Sequence, residues 1–222
     1  MKTIYNKFIN LLELEDKENA VTLILSLLEE EKIDIVTLYT NILAPSLNNM
    51  KGDNEKGGVC IWKEHVRSSI IRTIIECCYP YVIKEKNETC KNINYGKVIV
   101  ICPPEEFHEI GARIVSDFFT LCGYETIFIG SNTPKNEFLK AIDYINPKYL
   151  VISVTNYYNL VAAKDTIEKI RNSTNKKFII LVGGHAFKNN PEALKSTNAD
   201  MVIDNFHDIK NLQKENQNEI TI

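Results

Sequence analysis

The residues best equipped for chemistry lie in one short stretch, Cys102-Pro103-Pro104-Glu105-Glu106-Phe107-His108-Glu109-Ile110-Gly111. A carboxylate stands two residues before its histidine and a glycine three residues after. When a carboxylate accepts the proton on one imidazole nitrogen, the tautomer is set and the other nitrogen becomes a better metal ligand. Glu106 is spaced to do this for His108, and Gly111 lets the backbone pass close to a bulky neighbour. The same residue types also suit a solvated histidine at a helix entrance, so spacing alone leaves both readings open. Further along, Ser153-Val154-Thr155 supplies two hydroxyls able to satisfy buried polar atoms. Gly183-Gly184 is either room for a ligand or a plain strand-to-loop turn. Tyr157 follows Thr155, and His185 follows the glycine pair. Near the N-terminus, Trp62 is the only tryptophan and lies three residues before His65, on the same helical face, with Glu64 between them. No P-loop, nucleophile elbow or zinc pair is present.

Two kinds of element must position these residues. The first ninety read as helices: an amphipathic segment around Phe8, Leu11 and Leu12, a second over Ala20–Glu31, and a third over Ile35–Met50 that must kink or break at Pro45. Lys51–Gly58 reads as a loop. A fourth helix begins near Val59 and reaches about Tyr79, where Pro80 bends it. Residues 84–96 are polar and linker-like. Short runs rich in Val and Ile follow at Lys97–Cys102, Thr126–Ile129, Tyr149–Val154, Phe178–Val182 and Met201–Ile203, with helical patterns between them. Strict alternation of strand and helix predicts a parallel sheet covered on both faces, with ligands beyond the carboxyl ends of its strands. The expected fold is a Rossmann-like (flavodoxin-like) α/β domain of five parallel strands, preceded by an all-α four-helix bundle. The expected boundaries are bundle 1–86, linker 87–96 and α/β domain 97–222.

Glu106-x-His108-x-x-Gly111 resembles the D/E-x-H-x-x-G motif of cobalamin-binding modules. Ser153-Val154-Thr155 and Gly183-Gly184 match two further elements of that family, in its order and at the ends of the third and fourth strands. The resemblance implies cobalamin, as adenosylcobalamin or methylcobalamin, bound with its nucleotide tail drawn into the α/β domain. His108 then replaces the tail base as lower cobalt ligand, and Glu106 supports it. Ser153 and Thr155 line the tail pocket, and Gly183 and Gly184 leave it room, since a Cβ there would fill the channel.

The stretch Pro103–Ala112, with Ile129-Gly130-Ser131-Asn132-Thr133-Pro134, is similar to the light-sensing CarH-type regulators over roughly residues 35–205. In that family a bundle helix presents a Trp and a Glu-His pair over the upper corrin face. Glu64-His65 matches the pair, Trp62 is the candidate aromatic, and His65 is a candidate upper ligand. The family's Trp lies further from its pair, in a region that Met50 and the Lys51–Gly58 loop occupy here. Tyr157 is placed to flank the corrin and His185 to hydrogen-bond one of its amides.

The cofactor suits two functions. One is a sensory or regulatory module, light-responsive in the CarH manner, that acts through a protein partner. The alternative is a corrinoid methyl carrier serving a methyltransferase, and a third reading is a binder of another tetrapyrrole such as haem. Glu rather than Asp at position 106 inclines the resemblance to the regulator. Catalysis by the chain alone is not expected, because no general acid–base pair stands out.

The 44% apolar and 25% charged residues exclude a disordered chain, and a net charge of −3 argues against direct DNA binding. The chain opens directly on helices without a basic recognition helix. No apolar run spans a membrane and no signal peptide is evident, so the expected location is cytoplasmic. Homo-oligomer formation is compatible with either function. The six cysteines read as reduced core thiols, with Cys77 and Cys78 diverging on their helix.

Overall fold

The computed structural model describes residues 1–48 and 61–220, and its contacts divide the chain into two compact units, Met1–Glu85 and Lys86–Ile222. The expected Lys51–Gly58 loop, the helix end at Met50, the helix start near Val59, and Cys60 lie outside the described residues.

The first unit is helical. α1 (Lys2–Glu13) buries Phe8 and Leu12, and α2 (Lys17–Glu29) buries Ala20, Ile24, Leu27 and Leu28, at the three-and-four spacing of one helix face. Asp16 caps α2 by accepting the Asn19 N–H at 3.1 Å. The third helical segment changes pitch midway. α3 (Ile35–Leu38) passes into a π turn at Tyr39–Leu43 and then into α4 (Ala44–Asn48). Pro45 explains the change: it has no N–H for the carbonyl one turn back, and its ring would press on that carbonyl. The widened turn, closed by the Ala44 N–H on the Tyr39 carbonyl, provides the space.

α5 (Ile61–Thr89) corrects the expectation at Pro80. The helix runs through the proline, and residues 84–89, read from sequence as linker-like, are its last turns. Pro80 forfeits one backbone bond, while Ile70, Ile71, Ile74, Ile75, Cys78 and Val82 keep a continuous buried stripe across it. Polar side chains past the proline are also engaged. Glu85 accepts the Ile35 N–H at 2.9 Å, and Lys84 reaches Glu31 at 2.7 Å.

The second unit alternates as the apolar runs predict: β1 (Lys97–Ile101), α6 (Ile110–Leu121), β2 (Glu125–Gly130), α7 (Lys135–Ile145), β3 (Tyr149–Ser153), α8 (Leu160–Ser173), β4 (Ile179–Gly183), α9 (Pro191–Thr197), β5 (Met201–Val202) and α10 (Phe206–Ile220). All pairings are parallel, in the order β2-β1-β3-β4-β5. The three inner strands are buried on both faces, which is why they read as unbroken Val/Ile runs. On one face Ile99, Ile101, Leu150, Ile152, Ile180 and Val182 pack with Phe138, Ile142, Ile167 and Phe187. Toward α6 and α10, Phe119 meets Tyr124 and Tyr149, and Phe118 meets Phe206.

The strand order reverses between β1 and β3. The connections leaving the two strands run to opposite sides, and it is at such a reversal that parallel sheets bind their ligands. The loop after β1 holds His108, and the loop after β3 begins with Val154 and Thr155.

Candidate cofactor site

The loop after β1 is built to drive one carboxylate inward and one imidazole outward. The Cys102 N–H donates to the Gly130 carbonyl at 3.0 Å, and the Glu106 N–H closes a turn on the Pro103 carbonyl at 3.1 Å. Glu105 takes a left-handed φ of 71° in that turn. As a result the Glu106 side chain is fully buried, while that of His108 is 57% exposed.

A buried carboxylate needs donors around it, and Glu106 has five. Its Oε1 accepts the His108 backbone N–H at 3.0 Å and faces the ring Nδ1 at 2.6 Å. Its Oε2 accepts the backbone N–H groups of Thr155 and Asn156, both at 2.9 Å, and the Asn159 amide at 3.2 Å. Burial by itself would raise the Glu106 carboxyl. The Asn156 and His108 N–H groups, the Asn159 amide and the His108 ring outweigh it and hold the group below the usual glutamate range. An ionised carboxylate only accepts, so Nδ1 carries the ring proton. Nε2 has no protein partner among the described residues.

The site thus joins the ends of β1 and β3. Glu106 and His108 are in contact, and Thr155, read from sequence as a hydroxyl lining a tail pocket, contributes its backbone N–H to the same carboxylate. Asn156 and Asn159 were not singled out from sequence. Their partner lies some fifty positions away, and no local pattern announces it. Ser153 is 5% exposed and pairs in register with Gly183. Tyr157 and His185 meet edge to face, with ring centroids 5.8 Å apart. Gly111 is exposed in the first turn of α6, and a Cβ there would meet nothing within 4 Å. Beneath the loop, burial pushes the Cys102 thiol up to about 12, with the Glu106 and Glu109 charges adding to it, so it stays protonated.

The glycine pair stands where backbone segments pack closely. A Cβ at Gly183 would sit 2.6 Å from the Ile203 carbonyl oxygen, and one at Gly184 only 2.4 Å from that of Val154. In both cases the nearest atom is the protein's own backbone, so the packing of the strand ends by itself requires glycine here. Gly184 also takes a left-handed φ of 99°, which lets the Ala186 N–H reach the Val154 carbonyl at 3.1 Å.

In the first unit, Trp62, Glu64 and His65 stand in the first turns of α5. Trp62 is 58% exposed and His65 is exposed, so the tryptophan is not bundle core. Lys63 Nζ lies 5.8 Å from its ring centroid.

These groups fit a corrin-held cobalt. Such a metal asks the protein for one imidazole nitrogen with open space beside it. His108, with its side chain 57% exposed, could supply that nitrogen, and the bare backbone at Gly111 lies three residues further on. Among the described residues no group of three His, Cys, Asp or Glu forms a metal cage, and no helix is long and apolar enough to cross a membrane.

Comparison with known proteins bears on the family and the fold. No curated protein matches the chain. Among solved structures, the monomethylamine corrinoid protein of Methanosarcina barkeri superposes with a TM-score of 0.79 at 16% identity, covering 96% of this chain and 98% of that one. The methanol:cobalamin methyltransferase complex MtaBC of the same organism gives 0.49 at 17% identity, over 96% and 79% of the two chains. A cobalamin-binding protein from Desulfitobacterium hafniense DCB-2 gives 0.45 at 16% identity, over 95% and 97%. At such identities the first likeness establishes the fold. The B12 binding domain model matches residues 96–209, more than half of the 222 residues and the whole span from β1 to β5. The chain therefore belongs to the B12-binding domain family, and its cofactor is a cobalamin or related corrinoid.

Proposed function

We propose that the protein binds cobalamin with the tail base off and His108 Nε2 on cobalt, and that it serves as the corrinoid methyl carrier of a methyltransferase system. The observation that carries the ligand assignment is the buried, ionised Glu106. Its Oε1 lies 2.6 Å from His108 Nδ1, and the His108 side chain stays 57% exposed in the loop at the strand-order reversal. Bound cobalamin supplies a cobalt centre able to accept and give up an alkyl group. The protein's own part is to present a single oriented nitrogen and to hold that arrangement through the five donors to Glu106. Ser153 and Thr155 would face the tail, and Tyr157 and His185 the corrin edge.

Carrier is preferred to regulator on two grounds. The fold likeness to the monomethylamine corrinoid protein spans 98% of that chain, helices and sheet together. The inclination to a CarH-type regulator rested on Glu in place of Asp at 106, and the geometry gives that glutamate a plainer role. Its extra methylene lets one carboxylate reach both the His108 ring and the loop after β3. A glutamate with that task says nothing about signalling. The haem reading falls away with the family match.

The test uses the full chain, reconstituted in the dark with methylcobalamin and separately with cob(II)alamin. The expected results are a coloured protein after desalting, nitrogen coupling in the cobalt(II) magnetic resonance that disappears in His108→Ala, and no change of size under green light. Colourless protein overturns cobalamin binding. Coupling that survives in His108→Ala overturns the ligand assignment. A large light-driven change of oligomeric state overturns the carrier in favour of the regulator.

A further inference from the structure

His108 is anchored on its other side as well. Glu109, the next residue, sits at the entrance of α6 with its side chain only 14% exposed. Its Oε1 takes a two-pronged contact from Arg113, Nε at 3.2 Å and Nη2 at 3.0 Å. Its Oε2 accepts the Ser131 hydroxyl at 2.9 Å and the Ser131 N–H at 3.3 Å. The Arg113 guanidinium in turn lies 4.6 Å over the Phe128 ring of β2.

The backbone of β2 is shaped for this contact. The β1–β2 register slips between Val100 and Ile101, which pair with Phe128 and Gly130, so Ile129 is an extra residue. Gly130 then turns with a left-handed φ of 81°. A Cβ there would lie 2.9 Å from the Phe128 ring and 3.0 Å from Glu109 Oε2. The bulge and the glycine together bring Ser131 to the carboxylate.

We infer that Glu109, received by Ser131, is a positioning residue for the His108 imidazole. The inference rests on the proposed role of His108 as cobalt ligand. Glu106 ties the loop to the end of β3, and Glu109 ties it to the end of β2. These strands flank β1 on opposite sides. The two residues between the carboxylates, Phe107 and His108, therefore have their backbone held from both directions, so the ring orientation is prepared before cobalamin arrives. Cys102 adds a weak third contact, its Sγ lying 4.0 Å from the His108 carbonyl oxygen. Neither Glu109 nor Ser131 needs to touch the cofactor for this role.

The test compares Glu109→Gln, Ser131→Ala and the double variant with the parent, using cob(II)alamin as probe and His108→Ala as control. Each single variant is expected to bind cob(II)alamin about 10-fold more weakly. At saturation each should show a smaller fraction of the nitrogen-coupled signal, and the double variant should be no worse than Glu109→Gln. Ser131→Ala keeps the inference testable should Glu109→Gln fold poorly. A parent-like coupled fraction in Ser131→Ala at saturation overturns the inference. So does a loss that merely follows the unfolded fraction measured by circular dichroism. If His108→Ala itself retains coupling, the ligand assignment fails instead, and the two failures are told apart.

Discussion

Replacing Glu106 by glutamine changes one atom and tests the centre of the site. Three donors converge on Oε2, from Thr155, Asn156 and Asn159, and two on Oε1, from the His108 backbone and ring. A glutamine has one accepting oxygen, and its least costly orientation turns that oxygen to the set of three. The NH2 then faces the His108 N–H, donor against donor, in a fully buried position. An unpaired buried donor costs about 1–3 kcal/mol, and the remaining bonds lose their charge assistance, so about 2–4 kcal/mol of stability should go. The same NH2 turns Nδ1 into an acceptor and moves the ring proton to Nε2, which occupies the lone pair that cobalt needs. Cobalamin affinity should fall about 10- to 100-fold. Urea unfolding of the cofactor-free protein should show a lower midpoint at unchanged slope, and the cobalt(II) spectrum should lose nitrogen coupling. A variant that keeps both the midpoint and the coupling would refute the argument at its root.

Acid should act through the same carboxylate. Its folded-state value is lowered, so its contribution to stability is complete above the ordinary glutamate value of about 4.3 and disappears as pH falls through the lowered one. The stability gap between wild type and Glu106→Gln should therefore close on acidification, and a gap that widens contradicts the assignment. Gly183→Ala and Gly184→Ala should each destabilise the cofactor-free protein, by about 1–3 kcal/mol for the overpacking and by a further 1–2 kcal/mol or so at Gly184 for its left-handed φ. Unchanged thermal unfolding of both variants would contradict the packing argument. Trp62→Ala should alter the stability of the cofactor-free protein by no more than about 0.5 kcal/mol, as befits an exposed side chain. A clear fall in melting temperature would return the residue to the bundle core.

Most of the fold was legible from the chain. The Val/Ile runs mark strands covered on both faces, and the helical stripes between them require a parallel sheet; every strand lies within a residue or two of its apolar run. Pro80 misled because propensity is local, while the stripe from Ile70 to Val82 that overrides it is a property of packing. The motif around His108 was legible as well, because Glu106 and His108 are close in sequence and their contact is a short-range one.

What the sequence by itself determined is therefore the alternation, the motif and the pairing of a carboxylate with an imidazole, all set by near neighbours along the chain. Only the tertiary structure decided the strand order that places the loop after β1 beside the loop after β3. With that order came the three donors from Thr155, Asn156 and Asn159, the Ser131 contact to Glu109, and the backbone atoms that exclude a Cβ at Gly183 and Gly184. The physical reason is that each of these contacts joins segments separated by about twenty to fifty residues, so their partners are chosen by how the sheet is assembled.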